Sequence, residues 1–153
     1  MKKIDRLKVI EYQDNFKEKL YELSVEWLNK YVSIEPEDIK ILNNPKEVII
    51  DKGGHIYFAT LENEIVGTVS LIKKSEKIYK LAKLAVTEKA KGMGIGKMLM
   101  DKCITISMGK GIDKLILYTN KKLYPAISLY KKYNFQEIKL KKTNTLKQTC
   151  IWN

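Results

Sequence analysis

Three alternating glycines in the second half of the chain have the residue type and spacing of a phosphate-binding loop. Gly92, Gly94 and Gly96 lie between an apolar run that ends at Val86 and a helical pattern that opens at Met98. The first N–H groups of a helix have no intrahelical partner and carry partial positive charge, so they attract anions. Glycine removes the side chains that would keep an anion away. The stretch therefore predicts an anion site at a helix N-terminus; the alternative is that the glycines serve only close strand–helix packing.

The spacing of these glycines excludes two common nucleotide-binding motifs. A dinucleotide fingerprint needs G-x-G-x-x-G, but the sixth position counted from Gly92 is Lys97. A P-loop needs four residues between its glycines and a Ser or Thr after its Lys. Here Gly92 and Gly96 enclose three residues, and Met98 follows Lys97. We therefore expect a phosphate-bearing ligand other than NAD or a P-loop nucleotide.

The loop resembles the acyl-CoA-binding motif of the GCN5-related N-acetyltransferases, the GNAT family. That motif has a Gln or Arg, two variable residues, and then Gly-x-Gly or Gly-x-Ala. In the stretch Lys91-Gly-Met-Gly-Ile-Gly-Lys, Gly94 and Gly96 match the two glycines of the motif. Lys91 departs from the pattern, since it stands in the Gln or Arg position.

A second segment resembles the same family at the matching place in the chain. It contains Asn120, Ala126-Ile-Ser-Leu-Tyr130 and Tyr133-Asn-Phe135, and is similar to the family's asparagine on the fifth strand and its A-x-x-L-Y-x-x-x-G-F helix end. Asn134 replaces the family's glycine, which is tolerable because Asn also adopts left-handed backbone. The order of predicted elements follows the family from Lys8 to Trp152, which is nearly the whole chain.

The resemblance implies an acetyl-CoA site that needs no metal. The loop amides would hold the CoA pyrophosphate, and the backbone of the preceding strand would pair with the pantetheine arm. An amide of that strand would stabilise the oxyanion of the tetrahedral intermediate. Lys91 and Lys97 add charge near the phosphates or are simply solvated. The implied cofactor-binding residues are Leu84, Ala85, Val86, Lys91, Gly92, Met93, Gly94, Ile95, Gly96, Lys97, Asn120 and Tyr130.

Tyr130 is the catalytic residue that the resemblance implies. The family places a tyrosine at this position as the general acid for the departing CoA thiolate. A phenol of pKa about 10 can protonate a thiolate whose conjugate acid has a pKa of about 8.5. The alternative is that Tyr130 only packs against CoA. Asn120 either supports the cofactor region through hydrogen bonds or is a plain turn residue.

The general base is not evident from the sequence. Many family members carry a glutamate on the fourth strand at the position that Lys80 occupies here, and a cation cannot accept a proton. A water chain or another group would then deprotonate the amine, or Lys80 would face the substrate and select an anionic one. His55, the only histidine, is a candidate base or an ordinary strand-end residue. Trp27 and Tyr31 fall where the family builds the acceptor pocket, and otherwise belong to a helix core.

The implied activity is transfer of an acetyl group from acetyl-CoA to a primary amine of a small molecule, amino acid or peptide by direct attack. A catalytically silent acyl-CoA-binding domain is a second interpretation, because the usual glutamate is missing. The net charge of +11 motivates a third, a basic nucleic-acid-binding module. However, all but one of the 29 basic residues are lysine, and Arg6 is the exception. Base readout and phosphate clamps favour arginine, so we expect no nucleic-acid partner.

The apolar and turn patterns predict an α/β (α+β) fold with about seven strands and about four helices. His55–Leu61 and Ile65–Ile72 are strands joined by a three-residue turn, and they form an antiparallel meander with the strand that ends at Val86. That strand, the helix after the glycine loop and the strand Lys114–Thr119 form a crossover unit with parallel strands. The resemblance implies a GNAT-like, twisted, mostly antiparallel sheet splayed at this parallel pair.

The ends of the remaining elements are predicted from capping and turn residues. Asp14 is a plausible N-cap for a helix from Asn15 to Tyr31, whose apolar residues share one face. A further helix over Leu123–Tyr133 has Pro125 near its start and Asn134 at its stop, and strands over Phe135–Leu140 and Gln148–Trp152 finish the chain. We expect residues 1–153 to form one domain.

Composition limits the remaining possibilities. No apolar run approaches the roughly 20 residues that span a bilayer, and the N-terminus lacks a signal peptide, so we expect a cytoplasmic protein with no membrane partner. Cys103 and Cys150 with His55 make no credible metal cluster. Cys103 lies on the apolar side of its helix, which is typical of core rather than of a nucleophile. The oligomeric state is open, and a homodimer is compatible with the sequence.

Overall fold

The computed structural model describes residues 6–31, 33–120, 124–138 and 147–152. Its strands are β1 (Leu7–Glu11), β2 (His55–Leu61), β3 (Glu64–Lys73), β4 (Ile78–Val86), β5 (Lys114–Asn120), β6 (Gln136–Ile138) and β7 (Lys147–Trp152). Its helices are α1 (Lys17–Tyr31), α2 (Pro36–Asn43), α3 (Ile95–Gly109) and α4 (Tyr124–Lys132), with a π-helical turn over Lys46–Ile50. Leu123 and Leu140, where the sequence pattern begins a helix and ends a strand, lie outside the described residues.

The seven strands form one mixed sheet in the order β1-β2-β3-β4-β5-β7-β6. The pairs β1–β2, β2–β3 and β3–β4 are antiparallel. The pairs β5–β7 and β7–β6 are also antiparallel. The pair β4–β5 is parallel because α3 carries the chain back across the sheet between them. The predicted meander, the predicted crossover unit and the mostly antiparallel sheet are confirmed.

Helices cover both faces of the sheet, and alternation along the strands divides the core between the two faces. Tyr57 and Ala59 of β2 belong to a buried cluster with Leu99 of α3, on what we call the α3 face. Ile56 and Phe58 belong to a second cluster with Leu20 of α1, on the α1–α2 face. Successive side chains of a regular strand point to opposite faces of the sheet. The neighbours of a side chain in the regular part of β4 therefore show on which face that side chain lies.

Two local predictions are wrong. The β2–β3 hairpin turns on Glu62 and Asn63 alone, with φ of 50° and 69°, and Glu64 already pairs with Leu61. A two-residue turn with left-handed backbone at both positions matches the twist of the strands, which explains why Glu64 joins the ladder. Asp14 is not an N-cap, because it lies inside a 3-10 turn that precedes α1 and has Gln13 as its N-cap residue.

Within the parts of the chain that the structure describes, no helix is both long enough and apolar enough to cross a membrane.

Candidate active site

A slot opens between β4 and β5 on the carboxyl side of their short parallel pairing. The registered pairs run only from Ile78 with Lys114 to Lys80 with Ile116, whereas β4 continues to Val86 and β5 to Asn120. Beyond Lys80 the two strands therefore diverge, and β4 turns main-chain N–H and C=O groups toward the slot rather than toward a neighbouring strand. Leu84, Ala85 and Val86 lie on this stretch.

A β-bulge bends β4 beside the slot. Thr68 of β3 pairs with Ala85, but Ser70 pairs with Ala82, so two β4 residues face one β3 residue. One of the two is Lys83, whose φ of 57° is uncommon for a residue with a side chain. A bulge re-aims backbone and side-chain groups locally. Here it changes the direction of the β4 groups next to Leu84.

The loop after β4 has the backbone that its glycines predict. Gly92 and Gly94 have φ of 81° and 78°, and a Cβ added to either would meet nothing within 4 Å. The left-handed backbone, rather than crowding, therefore requires glycine at both positions. The absence of neighbouring atoms leaves open space on the side where a ligand would approach.

The first turn of α3 has main-chain amide groups that precede the first hydrogen bond of the helix. The first bond within the helix runs from the Met98 N–H to the Gly94 carbonyl at 3.0 Å, so the N–H groups of Ile95, Gly96 and Lys97 precede it. These are the groups that bind anions at helix starts. The Ile95 side chain is 2% exposed and packs in the core, so Ile95 can contribute to an anion site only through its amide.

Helix α4 packs against the start of α3 and places Tyr130 next to it. Leu129 Cδ2 would lie 3.6 Å from a Cβ on Gly96, which is ordinary contact. The Tyr133 hydroxyl donates to the Lys97 carbonyl or to Asp101. Burial, followed by that hydrogen bond to Asp101, raises the pKa of Tyr133 well above its ordinary value. The contacts on both sides of Tyr130 fix α4 relative to the glycine loop.

Tyr130 itself is buried on the α3 face. Its side chain is 8% exposed and its ring centroid lies 5.9 Å from that of Phe135. Asn134 has φ of 67°, so it adopts the left-handed backbone expected of the glycine that it replaces. Asn120 ends β5, and only its backbone lies within the described structure.

The two loop lysines already have acidic partners. Lys91 Nζ lies 2.8 Å from Glu88 Oε1, and Lys97 Nζ lies 3.5 Å from Asp101 Oδ2. Partial burial, and then the nearby charge of Lys30, lowers the pKa of Lys91. These acidic partners reduce the positive charge that Lys91 and Lys97 present to a phosphate, compared with what the sequence pattern indicates.

Trp27 and Tyr31 lie together at the end of α1, and Tyr31 contacts the start of the same loop. Their ring centroids are 5.2 Å apart. The Tyr31 hydroxyl donates to Glu88 at 3.0 Å, and Lys91 Nζ lies 4.5 Å from the centroid of the Tyr31 ring. Lys30 also pairs with Glu88. Glu88 therefore joins the end of α1 to the start of the glycine loop.

Lys80 lies where β4 and β5 begin to diverge. It pairs with Ile116 in the last registered pair. Its neighbours Tyr79 and Leu81 both belong to the cluster on the α3 face, so alternation places Lys80 on the α1–α2 face. Lys80, at the position where the resemblance implies a glutamate, is thus at the closed end of the slot.

His55 is not brought into contact with these groups. It pairs with Leu71 of β3, so β3 stands between His55 and β4. Its ring stacks on Tyr57 at 5.9 Å, and it lines a cavity of about 310 Å³ with Lys110 and Glu11, near the opposite end of α3 from the glycine loop. Burial, assisted by Lys110 and opposed by Glu11, lowers the pKa of His55.

Cys103 is a core residue, as predicted. Its side chain is fully buried, and burial raises the pKa of the thiol to about 12. Among the described residues, no group of three or more His, Cys, Asp or Glu side chains is arranged to hold a metal ion.

Four residues of the site were not predicted from the sequence, namely Asp38, Lys83, Glu88 and Tyr133. Asp38 forms a nearly buried ion pair with Lys83. The Glu35–Asp38 capping-box spacing and the Glu88–Lys91 spacing were signals for two of them. Lys83 has no sequence signal, because nothing local marks a lysine that will adopt positive φ inside a strand.

The chain belongs to the acetyltransferase (GNAT) family, whose model matches residues 17–135. This confirms the family that the two motifs resemble. An N-alpha-acetyltransferase from Sulfolobus acidocaldarius is 31% identical over 112 residues, which cover 63% of this chain and 64% of that protein. The matched part therefore spans somewhat less than two thirds of the length of that relative.

Two solved structures illustrate how far the fold is shared. An acetyltransferase of the GNAT family from Staphylococcus aureus superposes with a TM-score of 0.84 at 27% identity, covering 95% of this chain and 97% of that chain. The PaiA N-acetyltransferase from Thermoplasma acidophilum, solved in complex with coenzyme A, superposes with a TM-score of 0.74 at 18% identity, covering 95% of this chain and 97% of that chain. The second likeness shows the fold alone.

Proposed function

We propose that residues 1–153 act as one domain that transfers an acetyl group from acetyl-CoA to a primary amine of a small molecule, amino acid or peptide. The observation that carries the proposal is the meeting of two features. The first turn of α3 offers free amides beside Gly92 and Gly94, and β4 offers a main-chain edge where it diverges from β5. The amides of α3 suit a pyrophosphate, and the main-chain edge of β4 suits an extended arm that carries amide groups.

The glycine loop and β4 bind different parts of acetyl-CoA. The loop amides up to Lys97 hold the pyrophosphate, except the Lys91 N–H, which already donates to the Glu88 carbonyl at 3.2 Å. Met93 packs against the core on the α3 face. The stretch Leu84–Val86 pairs with the pantetheine arm and supplies an N–H to the oxyanion. Acetyl-CoA supplies the thioester, and the amine attacks it directly, with no metal.

Tyr130 is the proposed general acid. Support for this role comes from its burial in the cluster on the α3 face, which also contains Ile95 and Leu99 of α3. A phenol remains protonated at neutral pH and can give its proton to a departing thiolate. Asn120, at the end of β5, supports the cofactor from the opposite side of the slot.

A silent acyl-CoA-binding domain is the second candidate, and one observation favours it. Lys80 stands at the closed end of the slot where the family usually has a glutamate. A domain without a base would bind acetyl-CoA and release no thiol with any amine.

The test measures CoA-thiol release over a panel of amines for the unmodified chain and for Tyr130→Phe, with Tyr21→Phe as a control at an exposed tyrosine. We expect Tyr130→Phe to lower kcat by about 100-fold, which is typical of losing a general acid, while the Kd for acetyl-CoA changes little. Tyr21→Phe should match the unmodified chain. Acetyl-CoA binding without turnover of any amine would favour the silent domain, and full activity of Tyr130→Phe would remove Tyr130 as the acid.

A further inference from the structure

The ion pair between Asp38 of α2 and Lys83 of β4 differs from the other ion pairs of the described residues. Its side chains are 17% and 13% exposed, whereas each of the others has at least one side chain more than 40% exposed. Exposed ion pairs contribute little, but breaking a buried pair leaves an uncompensated charge at high cost. A carboxylate in such a place therefore requires a cation beside it.

The Asp38 carboxylate is held in a fixed orientation. Its Oδ2 accepts a hydrogen bond from the Glu35 N–H at 3.0 Å, as part of the capping box that starts α2. Its Oδ1 accepts from Lys83 Nζ. One oxygen is thus used to fix the helix, and the other presents a negative charge to an alkylammonium group.

The Lys83 side chain connects this carboxylate to the stretch of β4 where acetyl transfer is proposed. Lys83 lies in the β-bulge, next to Leu84 and three residues beyond Lys80, where the slot closes. Helix α2 packs on the α1–α2 face through Ile41, whereas Tyr130 belongs to the α3 face. The carboxylate and the proposed acid therefore approach β4 from opposite faces.

We propose that Asp38 binds the ammonium group of the acceptor, which takes the place of the Lys83 ammonium. The assignment rests on the proposed function. Exchange of one ammonium for another keeps the partly buried carboxylate paired with a cation, so binding does not leave an uncompensated charge at this position. Lys83 has a flexible four-carbon stem that can carry its own charge to solvent. The side chain of Lys83 also indicates the acceptor class, which is a primary amine on an unbranched alkyl chain.

The proton balance of the step follows from this placement. The acceptor ammonium gives one proton to Asp38, and the freed lone pair forms the C–N bond with the thioester carbon. As the C–S bond breaks, the thiolate takes a proton from Tyr130, and the second proton lost by the nitrogen restores Tyr130. Asp38 returns its proton to solvent, so the products are the amide, the free thiol and one proton.

The test compares Asp38→Asn with Lys83→Met, using Glu37→Gln as the control at an exposed acid on the same helix. Asn keeps an oxygen for the Glu35 N–H but loses the charge. We expect Asp38→Asn to raise KM for an alkylamine by at least about 30-fold, the scale for losing one partner of a buried charge pair, with the Kd for acetyl-CoA unchanged. Lys83→Met removes the competing ammonium, so its KM for the amine should fall or stay the same.

The shift in Tm that an added alkylamine causes gives a second measurement. A purely structural ion pair would produce no such amine-dependent difference between the variant and the unmodified chain. Lys83→Met removes the competing ammonium, so an added alkylamine should raise its Tm more than it raises the Tm of the unmodified chain. If Lys83→Met does not fold, Lys83→Gln serves in both measurements, because its shorter polar side chain also removes the charge.

Three outcomes overturn the assignment. Equal losses of kcat/KM in Asp38→Asn and Lys83→Met would show that the ion pair is only a structural contact. Unchanged turnover in Asp38→Asn would show that Asp38 does not bind the acceptor. In both cases the proposed function stands, because the unmodified chain still acetylates the amine. Absence of thiol release by the unmodified chain with every amine overturns the proposed function and this assignment together.

Discussion

Gly94 and Gly96 are both loop glycines, but the backbone constrains them differently. Gly94 has φ of 78° with open space around it, so a side chain there is strained by the backbone conformation and not by crowding. Gly96 lies inside the first turn of α3, and a Cβ there would only touch Leu129 at 3.6 Å. Glycine at Gly94 therefore determines the loop shape, while glycine at Gly96 mainly leaves the helix start uncovered.

We predict that Gly94→Val weakens acetyl-CoA binding by at least about 10-fold, because a β-branched residue at left-handed φ costs about 1–2 kcal/mol and moves the loop amides. Gly96→Ala, which the family's Gly-x-Ala variant allows, should bind within about twofold of the unmodified chain. Calorimetric titration with acetyl-CoA measures both. Equal affinity for Gly94→Val and Gly96→Ala would contradict a pyrophosphate site at this loop.

At the scale of elements, the end of α4 determines how Tyr130 is presented. The Tyr130 carbonyl accepts from the N–H groups of Tyr133 at 3.0 Å and Phe135 at 3.2 Å, while Asn134 adopts φ of 67°. This termination turns the chain so that Phe135 folds back against the Tyr130 ring. The orientation of the proposed acid thus depends on one residue in left-handed backbone.

We predict that Asn134→Ala lowers the free energy of unfolding by about 1 kcal/mol, because alanine tolerates left-handed backbone less well than asparagine. Asn134→Gly should be neutral or slightly stabilising. Urea unfolding followed by circular dichroism measures the difference, with Lys131→Ala as a control at an exposed position of the same helix. If the Ala and Gly variants were equally stable, the left-handed backbone would not be limiting.

A second contact between elements connects the end of α1 with the start of the glycine loop. Glu88 accepts from Tyr31 and pairs with Lys30 of α1, and it also pairs with Lys91 at the start of the glycine loop. All of these groups are partly exposed, so each contact by itself contributes little. Together they fix the end of α1, which carries Trp27 and Tyr31, relative to the glycine loop.

At the scale of the whole molecule, the sheet separates two cores. Cys103 lies at the centre of the one on the α3 face, with 0% exposure, among Tyr57, Leu99 and Leu117. No local opening of a loop would uncover it, because α3 and the sheet must separate first. Its reactivity should therefore report the stability of this core as a unit.

In a Cys150→Ser background, we predict that a thiol reagent labels Cys103 at pH 8 at least about 1,000-fold more slowly than it labels a free thiol. Global unfolding by at least about 5 kcal/mol must precede the reaction, and burial raises the pKa of the thiol to about 12, so the folded state holds almost no thiolate. The labelling rate should rise with urea in step with unfolding. Fast labelling without urea would contradict a closed core.

The sequence by itself determined the features that depend on neighbours in the chain. Apolar periodicity predicts α1 and the β2–β3–β4 meander, and the spacing of Gly92, Gly94 and Gly96 predicts the loop and the start of α3. The left-handed backbone of Asn134 follows from its place after a helix. In each case the cause lies within a few residues, where backbone sterics and helix ends decide the outcome.

Only the tertiary structure decided which residues form the proposed acceptor site. Asp38 and Lys83 are 45 residues apart, and neither side chain carries a local signal for the other. Their pairing depends on the bulge in β4 and on how α2 packs over the sheet. The resemblance implies a glutamate at the position that Lys80 occupies. Only the packed fold pairs another carboxylate, that of Asp38, with a residue of the same strand. Contacts between distant segments are set by packing of the whole core, and no pattern along the chain records them.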